Sequence, residues 1–139
     1  MCEIGDIIVV RNYLTEDGNR SFRHSFIVVE DQGGDIFGFS YDFVANVMSS
    51  IKDEKHKEKK IRFIENLFIK SDDMLVENSN HKDAYIKADQ LYYFDKNKTD
   101  YIVIGKAVQE VMDELMKLLE ILDEKGKLKV IIENLKESA

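Results

Sequence analysis

The stretch Tyr101–Leu122, YIVIGKAVQEVMDELMKLLEIL, decides the fold. Its first residues are a β-branched run closed by Gly105, the composition of a short strand. From Lys106 the period changes: Ala107, Val108, Val111, Met112, Leu115, Leu118, Leu119 and Leu122 recur at helical spacing and make one apolar stripe. Such a stripe needs an apolar surface to cover. Strand-like runs fill the upstream sequence, so that surface is predicted to be a sheet.

Working back toward the N-terminus, residues 6–10, DIIVV, predict a first strand entered through a Gly5-Asp6 turn. Arg11 to His24 contains Asp17-Gly18-Asn19, a strong turn signal, and predicts a polar loop projecting as a mobile arm. SFIVVE, Ser25 to Glu30, predicts the second strand. The run from Asp31 to Asp35, DQGGD, suits a tight hairpin leading into IFGFSYDF as strand three. Alternation there places Ile36, Gly38 and Ser40 on one face, opposite Phe37, Phe39 and Tyr41. IRFIENLFI and AYIKADQLYYF continue the strands on either side of the polar stretch from Ser71 to Asp83.

Downstream, the helix is expected to stop near Gly126. Leu128, Val130, Ile131, Ile132 and Leu135 then suggest a short second helix, with a strand as the alternative. The expectation is a single α+β domain over residues 1–139, an antiparallel β-barrel with a C-terminal amphipathic helix and a short extra element. The barrel spans about 4–106, the helix about 107–124 and the extension 127–137. Curling a small sheet into a barrel removes its edges.

A chain of 139 residues with 44% apolar side chains can bury one core without staples. Its single cysteine, Cys2, has no partner for an intramolecular disulfide, which fits a reducing, cytoplasmic setting. No apolar run approaches the ~18 residues of a membrane span, and Glu3 and Asp6 precede the first apolar stretch, unlike a signal peptide. A net charge of −7 does not favour nucleic acid as a whole-molecule field, so a phosphate site requires local clustering of cations. Lys52 to Arg62, KDEKHKEKKIR, is such a cluster, with six Lys or Arg against three acids; it reads as a solvated loop or short helix.

The three histidines and Cys2 have no metal-ligand spacing, so neither a metal nor another cofactor is expected. Gly33-Gly34 has no Gly-Lys-Ser/Thr after it, and no Gly-x-Ser-x-Gly occurs, which argues against a nucleotide phosphate loop and a serine-hydrolase elbow.

Four stretches, taken in order, carry a resemblance. They are Gly5-Asp6-Ile7-Ile8; Arg23 before FIVVED; Ser40 at the end of IFGFS; and Asp89 to Lys98, DQLYYFDKNK, followed by Ile104-Gly105 and a helix. Together they resemble the PemK/MazF family of toxin endoribonucleases, over roughly residues 4 to 122. His24 stands where that family usually has proline. ToxN-type relatives are similar around Ser40. The basic insert at 52–62 and the tail after Leu122 are not typical of the family.

The resemblance implies an SH3-like barrel acting in the cytoplasm on single-stranded RNA. It also implies Arg23 and Ser40 as the catalytic pair, and 2′,3′-cyclic phosphate and 5′-hydroxyl ends without metal. A cognate antitoxin, more readily a protein than an RNA, and a homodimer complete the expected partners.

Physically, RNA cleavage without metal needs a base for the 2′-hydroxyl, an acid for the leaving oxygen, and positive charge beside the phosphorane. Arg23 suits charge stabilisation, since a guanidinium stays protonated. Ser40 suits positioning of the attacking hydroxyl, and His24 is the nearby side chain of a type that exchanges protons near neutral pH. Arg11, Arg20, Lys55, Lys57, Lys59, Lys60 and Arg62 are the candidate phosphate contacts, and Phe22, Tyr41 and Tyr92 the candidate stacking rings. Each has a plainer role: loop cations are commonly solvated, a strand serine is commonly a tolerated polar residue, and barrel aromatics are commonly core. The alternative function is a non-catalytic barrel binding nucleic acid or a protein.

Overall fold

In the computed structural model, which describes residues 2–76 and 82–136, the longest strands pair first. β1 (Asp6–Leu14) and β2 (Arg20–Glu30) form one antiparallel hairpin, in register from Ile7 opposite Ile27 to Leu14 opposite Arg20. The segment from Arg11 to His24 is therefore a paired hairpin rather than a loop; only the turn at its tip lies outside the strands. There Thr15 N–H donates to Asn19 O at 2.8 Å and Gly18 N–H to Thr15 O at 2.9 Å. The turn chemistry was legible, but main-chain pairing does not depend on polar side chains, so the strands run on up to it.

The predicted third strand also divides. β3 (Gly34–Ile36) and β4 (Phe39–Tyr41) make a separate two-stranded hairpin, and β5 (Phe43–Ser50) is the strand that pairs with β2. Phe37 and Gly38, both at positive φ (49° and 84°), form the turn between β3 and β4. Gly38 thus serves a hairpin turn rather than a close approach within a strand.

The basic run folds as α1 (Glu54–Ile61), capped by Asp53, whose carboxylate accepts from His56 N–H at 2.7 Å. It buries no side chain. β6 (Asn66–Ile69), β7 (Met74–Val76), β8 (Ala84–Lys87), β9 (Gln90–Phe94) and β10 (Tyr101–Ala107) follow, then α2 (Gln109–Glu124) and β11 (Lys129–Ile131). The order across the main sheet is β11-β9-β5-β2-β1-β10-β7, with β8 added to β5 and β6 to β8. Every pairing is antiparallel except β11 on β9. The sheet curls into a nearly closed barrel, and the fold is α+β as expected.

Alternation sorts the strands into two apolar faces. Ile8, Val10, Phe26, Val28, Val47 and Phe94 fill the barrel, where Phe26 meets Tyr13, Tyr92 and Phe94 edge-on at 4.9–5.4 Å. Ile7, Ile27, Val44 and Met48 face outward and are covered by Val111, Met112, Leu115 and Leu122 of α2. The helical stripe read from sequence is the one that packs.

The tail resolves as strand β11 and a 3-10 turn at Glu133–Leu135, in place of a second α-helix. It shuts the barrel's gap: Ile131 and Leu135 are buried, and the Asn134 carboxamide brackets Leu14, accepting from its N–H at 2.7 Å and donating to its carbonyl at 2.9 Å. Inside the sheet, Asn46 is fully buried and its Nδ2 reaches the carbonyls of Lys87, Ala88 and Gln90, pinning the corner between β8 and β9. No helix among the described residues is long and apolar enough to cross a membrane.

Candidate nucleic-acid interface

The outward sheet face continues past α2 into an open cleft of about 930 Å³. Ile7 and Met48, core residues beneath the helix, also belong to its floor, with Val9, Ser25 and Ile104. Arg23 and His24 of β2 border it. The end of β5 contributes Ser49 and Ser50, α1 contributes His56 and Lys60, and Lys52, Lys82 and Tyr85 complete the polar rim.

Arg23, Lys52, Lys60 and Lys82 line the cleft, and among the described residues no Asp or Glu does. That is a selective arrangement in a chain with 27 acids and 20 Lys or Arg. A concave, single-sign wall focuses field and draws in anions even when the net charge is negative.

Opposite Arg23 on β1, Arg11 continues the register toward β10, its N–H donating to Asp100 O at 3.0 Å and its guanidinium pairing with the Asp100 carboxylate. Arg23 stands unpaired in the β1–β2 ladder, between the pairs His24 with Val10 and Phe22 with Asn12. It adopts φ +39°, a left-handed conformation rare for a residue with a Cβ. Among the described residues its exposed guanidinium has no hydrogen-bond or ion-pair partner.

Beside it, His24 packs edge-on against Tyr13 at 5.9 Å, and its Nδ1 is buried without a partner. Nε2 is thus the ring nitrogen left to serve the cleft. The β2–β5 pairing ends at Phe26 opposite Val47, and β5 continues against β8, where Ser50 stands opposite Ala84 and, with Ser49, lines the cleft. Among the described residues, the Ser49 and Ser50 hydroxyls have no hydrogen-bond partner.

Ser40 is not part of this group. It lies on β4, where its Oγ donates to Asp35 at 2.9 Å. The β3–β4 hairpin follows the Glu30 end of β2, and Ser40 is not among the residues lining the cleft that Arg23 borders. Ser49 and Ser50, at the end of β5, line that cleft with Arg23.

Of the candidate phosphate contacts, Lys60 alone lines the cleft with Arg23. Arg11 is tied to Asp100, and Arg20 donates to Asn12 Oδ1 at 2.8 Å near the hairpin tip. Lys57 lies over the Phe68 ring at 4.2 Å. Lys55, Lys59 and Arg62 are exposed on α1 and its C-cap, outside the cleft lining.

Tyr92 is core, its phenol pushed up by burial, so it does not stack a base. Tyr41 packs on Tyr93 at 4.8 Å, and Phe22 is exposed but outside the cleft. Ser49, Ser50 and Lys82 escaped the sequence reading, which took in Lys52 and His56 only as members of the basic run 52–62. The paired serines closing VANVMSS were the available signal, but their importance depends on a strand register that only the barrel sets. No protein-family model matches this chain, and no curated protein matches it.

Proposed function

We propose that this cleft binds single-stranded RNA and cleaves it without a metal, as the PemK/MazF resemblance implies, with a serine of β5 taking the role expected of Ser40. The wall of Arg23, Lys52 and Lys60, with no acid among the described lining residues, together with the Ser49-Ser50 hydroxyls, carries the reading. A phosphodiester is the ligand whose charge and acceptor geometry suit a planar guanidinium beside hydroxyl donors.

In this mechanism the 2′-oxygen attacks its own phosphorus, and the P–O5′ bond breaks. Nε2 of His24 takes the 2′-hydroxyl proton, and water in the open cleft delivers a proton to the departing 5′-oxygen. A serine hydroxyl holds a phosphate oxygen in line, and Arg23 stabilises the charge gathering on the phosphorane. The products are a 2′,3′-cyclic phosphate and a 5′-hydroxyl. On this reading the chain is the toxin of a cytoplasmic toxin–antitoxin pair. A protein antitoxin covers the cleft, and a second copy of the chain is its other partner.

The test is cleavage of a long RNA by purified protein in the presence of chelator. Arg23→Ala is expected to lower the rate by at least ~100-fold with the fold intact, the scale of removing one oxyanion donor. Ser49→Ala and Ser50→Ala, made singly, identify the positioning hydroxyl, while Ser40→Ala should cleave like wild type. RNA bound but left whole by the wild-type protein would make the chain a binding module. Full cleavage by Arg23→Ala refutes the site.

A further inference from the structure

The α1 side of the cleft carries a histidine whose hydrogen-bonding state is set by the main chain. Lys52 N–H donates to His56 Nδ1 at 3.0 Å, so Nδ1 must hold a lone pair and the ring proton sits on Nε2. The ring is further held by an edge contact with buried Tyr85 at 6.0 Å, and its backbone N–H by the Asp53 cap. Nε2 has no hydrogen-bond partner among the described residues, and His56 lines the cleft. One helical turn on, Lys60 lines the same cleft, its ammonium 5.9 Å from the Tyr85 ring centroid. A fixed N–H donor and a cation, four residues apart on one helix face, therefore look into an anion-selective space.

We propose that His56 and Lys60 form a second phosphate-binding point, which grips a phosphate neighbouring the scissile one and so sets how the RNA strand lies across Arg23. This rests on the RNA-cleaving reading above and assigns His56 a role that reading does not need. A phosphate is favoured over a base edge. Among the described residues the wall offers donors and positive charge without a carboxylate acceptor, and Tyr85, the ring beneath, is too buried to stack a base. α1 suits the task because it buries no side chain of its own and its His56, Lys57 and Lys60 side is anchored through Phe68 and Tyr85.

The experiment uses the full chain and a short RNA made uncleavable by a 2′-deoxy substitution at the scissile nucleotide. His56→Asn keeps an acceptor near the Lys52 N–H but withdraws the outer donor, and His56→Phe keeps the ring and removes both nitrogens. Both are expected to weaken binding about 10–100-fold, the loss for a hydrogen bond to a charged acceptor. At saturating cleavable RNA, kcat should stay within about twofold, since a flanking contact holds ground and transition states alike. Replacing single phosphates by methylphosphonates locates the contact: at one flanking position the neutral linkage should cost wild type binding but cost His56→Asn little more.

Wild-type affinity in both variants overturns the proposal, as does an effect that follows base identity and ignores every methylphosphonate. A loss confined to kcat would place His56 at the chemistry and overturn it equally. If wild type itself neither binds nor cleaves RNA, the RNA reading has failed. If wild type cleaves through Arg23 and the His56 variants are unaffected, the phosphate-grip proposal alone has failed.

Discussion

Arg23 combines an exposed, unpartnered guanidinium with a left-handed backbone at φ +39°. For a residue with a Cβ that conformation costs roughly 1–2 kcal/mol, while glycine adopts it freely but loses about 0.5–1 kcal/mol more conformational entropy on folding. Arg23→Gly should therefore be more stable than Arg23→Ala by about 0.5–1 kcal/mol, though both lose cleavage. Urea unfolding midpoints measure this. An alanine variant as stable as the glycine variant would mean that no strain is held there. The expected order follows from a conformation kept for its position in the cleft at the expense of stability.

Two elements absent from the expected family pattern do different work. α1 buries nothing and carries His56 and Lys60 to the cleft, whereas the C-terminal tail buries Ile131 and Leu135 and closes the barrel through Asn134. Removing the carboxamide leaves both main-chain groups of Leu14 without these partners. Asn134→Ala should accordingly cost about 1–3 kcal/mol, the sum of two ordinary hydrogen bonds. Because Asn134 does not line the cleft, the rate of the proposed RNA cleavage should not change. Denaturant titration gives the first quantity, and hydrogen exchange at the Leu14 amide should accelerate in step. An unaltered midpoint would show that the clasp contributes nothing.

Across the whole molecule, the sign of the net charge and the sign of the cleft oppose each other. On the proposed reading, binding of single-stranded RNA depends on few, local phosphate contacts. With four cations lining the cleft and a slope of ~0.7 per neutralised phosphate, log affinity against log salt should fall with a slope of at most about −3. Lys60→Met should reduce that slope by about 0.7. Fluorescence anisotropy at several salt concentrations reads both, and a flat dependence would remove phosphate contact from the account. His56→Asn, which removes a donor without removing a lysine, should weaken affinity and leave the slope nearly unchanged.

The α+β class, the strand-to-helix switch near Lys106 and the stripe that α2 buries were all determined locally, because helical and strand periodicities lie within a few residues of one another. Arg23 and His24 were also legible as cleft candidates, through resemblance and chemistry. The serine partner was not: whether Ser40 or Ser49-Ser50 lines the cleft with Arg23 depends on which segment pairs with β2, a long-range choice made by β5. Nor was the left-handed backbone of Arg23 at φ +39°. The outward donor of His56, by contrast, is fixed within one turn, by the Lys52 N–H four residues away. Sequence patterns specify which surfaces are apolar; only closure of the barrel decides which polar groups are left facing one another.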